Sequence, residues 1–278
     1  MTDADNEKRL AGEEAFHNEW AESTDVARID VVHANEVCTS PEMRWIVSRL
    51  GDLRGKTLLD VGCGLGEASV YFALKGASVV ATDLSVGMLD ATQRLAVAND
   101  VSLRTHRSNA ESLELDASER FDFIYVGNLF HHVEIEPTLK RLIPHLASGG
   151  ALVSWEPLAY NPLINVYRWI ATKVRTPDEH PLRVRDLRLF RRHFAEVEFE
   201  YFWFFTLVIF LLMAFVQFRN PNKVRYWKKV VEEGDRWAWL YRPLAFMDRV
   251  VLAAFPPLRL LCWNVAIVAK RATGTMPT

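Results

Sequence analysis

The sequence predicts an α/β fold built on a doubly wound, mainly parallel sheet, and three observations lead there. From Pro41 to about Trp155, short apolar runs alternate with amphipathic stretches. A glycine-rich turn, Gly62-Cys63-Gly64-Leu65-Gly66, stands between one such run and the next amphipathic stretch. An acidic residue, Asp83, closes the second run, about twenty residues beyond that turn.

Taken in order, PEMRWIVSRL reads as a helix with Pro41 in its first turn. KTLLDV is a buried strand, and GEASVYFALKG a helix closed by Gly76. SVVATD is the second strand, and the helix after it takes Ser85 as N-cap. VSLRTHR, FDFIYV and ALVSWE are further strands, with a helix over EPTLKRLIPHLAS. Beyond Glu156, NPLINVYRWIATKVRTPDEHP reads as irregular or partly helical, and VRDLRLFRRHF as a basic amphipathic helix. AEVEFEYFWF and LCWNVAIVAKR are strands, with mostly helical text between them.

At 278 residues and 50% apolar, the chain can bury a substantial core. The start, MTDADNEKRLAGEEAFHNEW, is polar and acidic, without the apolar run of a signal peptide. Cys38, Cys63 and Cys262 are odd in number and far apart, which predicts a reducing, cytoplasmic setting rather than a disulfide framework. The net charge of −2 conceals an asymmetry. Residues 1–156 hold 14 Lys/Arg against 25 Asp/Glu, whereas 157–278 hold 19 against 10. The basic half also carries the apolar stretch Tyr201–Phe218, and this combination suits an anionic, greasy partner. A nucleic-acid partner is not expected, because the basic residues sit among aliphatic runs.

The glycine turn lets backbone N–H groups approach a ligand, and Asp60 before it suits a ligand carrying an ammonium better than a pyrophosphate. Asp83 at a strand tip can accept both hydroxyls of a ribose, or simply cap a helix. Together LLDVGCGLGEASVYFA, ATDLSVGML, SNAESL, FDFIYVGNLFHHV and LIPHLASGGALVSWEP resemble the class I S-adenosylmethionine-dependent methyltransferases, especially the ubiquinone/menaquinone C-methyltransferase-like group. The resemblance covers residues 41–156 best. It implies a Rossmann-like, seven-stranded sheet whose last two strands pair antiparallel, with S-adenosylmethionine as cofactor. It assigns Asp60, Gly62, Cys63 and Gly64 to the methionine end, Asp83 to the ribose, and Leu84, Asn109 and Ala110 to the adenine. The family more often has Asp at position 109. Asn128 and the two histidines that follow would lie under the methyl sulfonium.

His131 and His132 are candidates for a general base, with Glu156 at the end of the fifth strand as a third catalytic candidate. Neighbouring side chains diverge, so one histidine is expected to face the site and the other to be structural. No metal is expected, because no cluster with ligand spacing accompanies them. Tyr160, Asn161, Tyr167 and Arg168 are candidates on the acceptor side, with Trp20, Phe16 and His17 in an N-terminal lid. Each of these tyrosines and Glu156 could instead serve packing alone. Arg168, Arg175, Arg183 and Arg185 could meet a phosphate or pyrophosphate head.

The expected organisation is a lid over 1–40, a cofactor-binding core over 41–204 and 260–271, and an apolar and basic helical insertion over 205–259 between the last two strands. A span across a bilayer is disfavoured. The only return segment, LAFMDRVVLAAFPPL, is short and carries Asp248 and Arg249. The insertion then lies on a membrane, covers a greasy acceptor, forms a homodimer interface, or packs a core of its own. These expectations describe an enzyme methylating a prenylated, lipid-linked or quinone-like acceptor at the inner face of the membrane. The rivals are methylation of a soluble sugar or metabolite by a dimer, a non-catalytic membrane scaffold, and a nicotinamide dehydrogenase.

Overall fold

A computed structural model describes residues 3–172 and 179–272, with side chains from residue 8 onward. Seven strands form one sheet: β1 (Thr57–Val61), β2 (Ser78–Asp83), β3 (Arg104–Arg107), β4 (Phe121–Gly127), β5 (Leu146–Pro157), β6 (Glu196–Phe202) and β7 (Asn264–Lys270). Their order is β3-β2-β1-β4-β5-β7-β6. The first five run parallel, and β7 runs antiparallel to both β5 and β6. This is the doubly wound arrangement expected from the alternating pattern, and it reverses direction at β1, where the glycine turn leaves the sheet.

Helices cover both faces. α3 (Pro41–Leu50), α4 (Glu67–Leu74) and α5 (Val86–Ala98) lie on one side, where Leu58, Val70, Phe72, Leu95 and Val153 form a core. α6 (Ile135–Leu142) and α8 (Val184–His193) cover the other, packing Leu139 and Phe190 against Leu59, Leu152 and Ile267. Leu58 and Leu59 are adjacent yet serve opposite cores, as the period of two along a strand requires. Both faces being covered, the central strands read as unbroken apolar runs. α5 starts where expected: Ser85 accepts a hydrogen bond from the Met88 N–H at 3.0 Å.

Three further groups of helices gather at the carboxyl ends of the parallel strands. α1 (Asp3–Glu22) and α2 (Val31–Glu36) precede the sheet, and α7 (Pro162–Ile170) follows β5. α9 (Val208–Leu211), α10 (Tyr226–Glu232) and α11 (Gly234–Ala254) lie between β6 and β7. The apolar stretch Tyr201–Phe218 ends β6, turns at Trp203 (φ +70°), and continues as a 3₁₀ turn, α9 and a short π-helical segment. Trp203, Ile209, Phe210 and Met213 are buried with Tyr226, Val230, Trp237 and Tyr241 in a core separate from those of the sheet. Asp248 of α11 fixes the start of this segment, accepting from the Phe205 N–H at 2.6 Å and the Thr206 hydroxyl at 2.9 Å. Phe215, Val216 and Phe218, at the far end, are exposed. No helix among the described residues is long and apolar enough to cross a membrane.

Candidate active site

A cavity of about 690 Å³ opens at the carboxyl ends of the strands, bounded by the glycine turn on one side and by α1, α7 and α10 on the other. Its cofactor-type wall follows from local geometry. β1 ends at Val61, and Gly62 (φ +74°), Gly64 (φ +55°) and Gly66 (φ +88°) take the left-handed backbone that turns the chain into α4. A Cβ on Gly62 would stand 2.9 Å from a Leu129 methyl, so the turn is closely packed from beneath. Asp83 accepts from the Gly64 N–H at 3.0 Å and the Ser85 N–H at 2.9 Å, which locks the turn to the end of β2. Leu84, Asn109, Ala110 and Asn128 also reach the wall.

Asp60 is almost wholly buried beneath the turn. One of its oxygens accepts the Ser69 hydroxyl at 2.5 Å, and the other has no hydrogen-bond partner. Burial, opposed by Ser69 and helped by the charge of Asp83, pushes its carboxyl up to about 7. An orphaned, desolvated carboxylate oxygen beneath the glycine turn is what an amino-acid ammonium would satisfy. The residues present therefore fit S-adenosylmethionine. Burial also raises Cys63 well above its ordinary value, so its thiol stays protonated.

The opposite wall is made of side chains brought from afar. On α1, Asn18 accepts from the Ser85 hydroxyl at 2.6 Å and the Gly87 N–H at 3.0 Å, docking this helix on α5. Trp20 then faces α10, with the Arg225 guanidinium 4.0 Å and the Lys228 ammonium 5.6 Å from its ring centre. Lys228 also meets Glu67 of α4 at 3.0 Å. Trp203, Trp227, Trp263 and Tyr167 add aromatic surface. Glu42 of α3 lies buried among them, accepting from Trp203 Nε1 at 2.8 Å and Asn264 Nδ2 at 2.7 Å. Burial lifts Glu42 to about 7 against those two donors.

Four expectations about side chains change. His131 and His132 both line the cavity, with ring centres 4.1 Å apart. They stand in a turn after β4, entered through Asn128 (φ +58°), where the alternation of an extended strand no longer applies. Secondly, a cluster with ligand spacing does exist: donor atoms of His131, His132 and Glu179 lie within 4.8 Å of one another. Glu179 is far away in sequence, and the His180 N–H bond to the His131 carbonyl at 2.6 Å brings it in.

Thirdly, Glu156 lies behind the wall rather than on it. Wholly buried, it accepts from the Leu129 N–H at 2.9 Å, the Phe130 N–H at 2.8 Å and His131 Nδ1 at 2.7 Å. Burial raises it to about 7 in spite of these donors. It orients the histidine turn. Fourthly, Tyr160 and Asn161 point away from the cavity. The Tyr160 hydroxyl accepts from the Val184 N–H at 3.0 Å, while Asn161 caps α7 by accepting from the Ile164 N–H at 3.0 Å. Tyr167, Arg168, Trp20, Phe16 and His17 do line the cavity. Arg183 and Arg185 are exposed elsewhere, and Arg175 lies outside the described residues.

His132 is held through Nδ1 by Glu13 of α1 at 3.4 Å. Burial works against its charge, but Glu13 and neighbouring carboxylates outweigh that and raise its pKa. Arg9 joins the same corner, donating to the His132 carbonyl at 2.7 Å and pairing with Glu111.

Residues 58–150 match the protein family described as a methyltransferase domain. Among curated proteins, the ubiquinone biosynthesis O-methyltransferase of Pseudomonas savastanoi pv. phaseolicola is 30% identical over 120 residues, covering 43% of this chain and 51% of the relative. That of Pseudomonas putida strain W619 is 26% identical over 162 residues, 58% of this chain and 67% of the relative. The chain thus spans about half the length of the first of these relatives. The N-methyltransferase NodS of Bradyrhizobium japonicum superimposes with a TM-score of 0.52 at 12% identity, over 92% of this chain and 98% of that one. Phosphoethanolamine N-methyltransferase 1 of Haemonchus contortus gives 0.56 at 14% identity, over 100% and 52%. These likenesses show the fold. Sheet order, glycine turn and family match together define the class: the chain carries a class I S-adenosylmethionine methyltransferase domain.

Proposed function

We propose that the protein transfers a methyl group from S-adenosylmethionine to a hydrophobic, quinone-like or otherwise lipid-like acceptor at a membrane surface. The observation that carries this reading is the single cavity joining the Asp60–Asp83 wall to an aromatic wall of Trp20, Trp203, Trp227 and Trp263. The relatives named for ubiquinone biosynthesis support an acceptor of that kind. S-adenosylmethionine, when bound, supplies an activated methyl on a positively charged sulfur.

This chain's residues then bind and align. Asp60 takes the ammonium, the turn backbone at Gly62 and Gly64, bare of side chains, lines the methionine end, and Asp83 accepts the ribose hydroxyls. Leu84, Asn109 and Ala110 flank the adenine, while Cys63 and Asn128 complete the wall. The tryptophans hold an apolar ring or chain and exclude water, and Arg168 meets a polar or phosphorylated head. His131 and His132 stand where a proton would leave the acceptor, with Glu156 positioning His131.

Membrane contact is supported by the outer face of α11, where Trp239, Phe246 and Val250 stand exposed at helical spacing beside Arg242 and Arg249. Phe218, 85% exposed, and Trp169, 81% exposed, extend the same character to neighbouring elements. This chemistry suits the anionic inner face of a membrane.

The test incubates the protein with methyl-labelled S-adenosylmethionine and a lipid extract, then partitions the products between organic solvent and water. Label in the organic phase is expected. Label confined to a small polar product in water would overturn the acceptor class.

A further inference from the structure

We infer that His131, His132 and Glu179 form a binding site for one divalent first-row transition-metal ion on the cavity wall. Two imidazoles and one carboxylate are a donor set suited to zinc, iron, cobalt or manganese, and three protein ligands leave positions for water and a substrate oxygen. The donor atoms already lie within 4.8 Å of one another. Metal–ligand bonds of about 2.0–2.2 Å place neighbouring donors roughly 3–4 Å apart, so closing on an ion needs only small rotations.

The surroundings are built in the manner of a metal site. His131 turns Nδ1 to Glu156 at 2.7 Å, and His132 turns Nδ1 to Glu13 at 3.4 Å. A carboxylate on the far nitrogen is the arrangement that fixes the ring and tautomer of a metal-binding imidazole and raises its basicity. Here both rings have one, supplied by different elements, β5 and α1. Glu179 is carried in by the backbone bond from His180 to the His131 carbonyl. Charge favours a cation as well. Glu13, Glu156 and Glu179 surround the pair, and Arg9, a cation beside them, is itself paired with Glu111.

Such an ion would take an acceptor hydroxyl as a further ligand and lower its pKa, a consequence that rests on the methyl-transfer reading although the binding itself does not. With the ion bound, the two imidazoles would serve as its ligands in place of a base, and the hydroxyl proton would pass to water. The acceptor oxygen would then bond to the methyl carbon as the carbon–sulfur bond breaks, leaving a neutral thioether, with the oxidation state of the ion unchanged. The site thereby directs methylation to oxygen.

The full-length protein, freed of metal by a chelator and dialysed, is titrated with cobalt(II) by visible absorption and with zinc(II) by calorimetry. Wild type should bind one equivalent. Glu179→Gln and His132→Ala should each weaken binding at least tenfold, and Glu13→Gln about 10–100-fold, the effect expected of an outer carboxylate. Glu179 is part-exposed, so its variant keeps the fold, and unchanged S-adenosylhomocysteine binding verifies that. Absence of saturable binding in wild type, or equal binding by Glu179→Gln, would overturn the site. Metal binding without any S-adenosylhomocysteine binding would instead overturn the methyl-transfer reading and leave the site standing.

Discussion

The two walls of the cavity each bury one acid at a pKa of about 7, yet the two acids are held differently. Asp60 on the cofactor-type wall has one oxygen satisfied by Ser69 and one left without a partner. Glu42 on the aromatic wall receives two donors, from β7 and from the residue that opens the β6–β7 excursion. Equal displacement of a pKa therefore carries opposite meanings. At Asp60 it accompanies an oxygen that no protein group satisfies, and at Glu42 it marks a joint between α3 and two distant segments.

The sharpest way to break this contrast is at Asp83. Asp83→Ala should weaken S-adenosylhomocysteine binding about 100–1,000-fold, as loss of about 3–4 kcal/mol of charged hydrogen bonding implies. Calorimetric titration measures it, and a change below threefold would remove Asp83 from the cofactor site.

Glu42→Gln should act on stability alone. The folded pKa of about 7 lies above the ordinary 4.5, so the folded chain binds this proton more tightly than the unfolded chain. The stabilisation is complete below about 4.5 and is lost as pH rises through 7, a fall of up to about 3 kcal/mol. Urea unfolding at pH 5 and pH 8 should show a flatter dependence in Glu42→Gln, which retains an oxygen for both donors. An unchanged slope would mean that Glu42 ionises normally.

At Asp60 the same pKa predicts a ligand effect. Affinity for S-adenosylhomocysteine should rise about tenfold between pH 6 and pH 8, as the carboxylate ionises to meet the ammonium. Asp60→Asn should bind weakly at both. The smallest effect is expected at Trp20. Trp20→Ala should raise the KM for an apolar acceptor about fivefold, an aromatic contact of about 1 kcal/mol, with S-adenosylhomocysteine affinity unaltered. Initial-rate kinetics at saturating cofactor would show it, and an equal loss in cofactor affinity would erase the distinction between the walls.

The same contrast governs what could be read from the chain itself. The glycine turn, Asp60, Asp83 and the strand–helix alternation are local, because a wall made of strand ends and backbone N–H groups is encoded within a few residues of each end. The aromatic wall is long-range: Trp20 meets Arg225, and Glu42 meets Asn264, across most of the chain. Glu179 left no signal, since its place depends on one backbone bond to the histidine turn. Neighbouring side chains diverge along a strand, but His131 and His132 stand in the turn beyond β4, where both reach the cavity. Tyr160 and Asn161 adjoin the end of β5 in sequence, but their hydrogen bonds to Val184 and Ile164 turn them to local caps. The apolar stretch divides: Trp203, Leu207, Ile209, Phe210 and Met213 fill a core, and Phe215, Val216 and Phe218 face outward.

The position of β7 bears on how this chain is made. β6 lies at the edge of the sheet with β7 as its one neighbour, and β7 is synthesised only after residues 203–263. On the ribosome, the first five strands can assemble while β6 waits with both edges unpaired. The exposed aromatics of the excursion emerge during that wait, at about 5–20 residues per second. The nascent chain thus passes through a window of several seconds in which a bare strand edge and greasy helices coexist. Capture by a membrane or a chaperone at that moment would protect the chain until Asn264–Lys270 slots into the gap and closes the sheet.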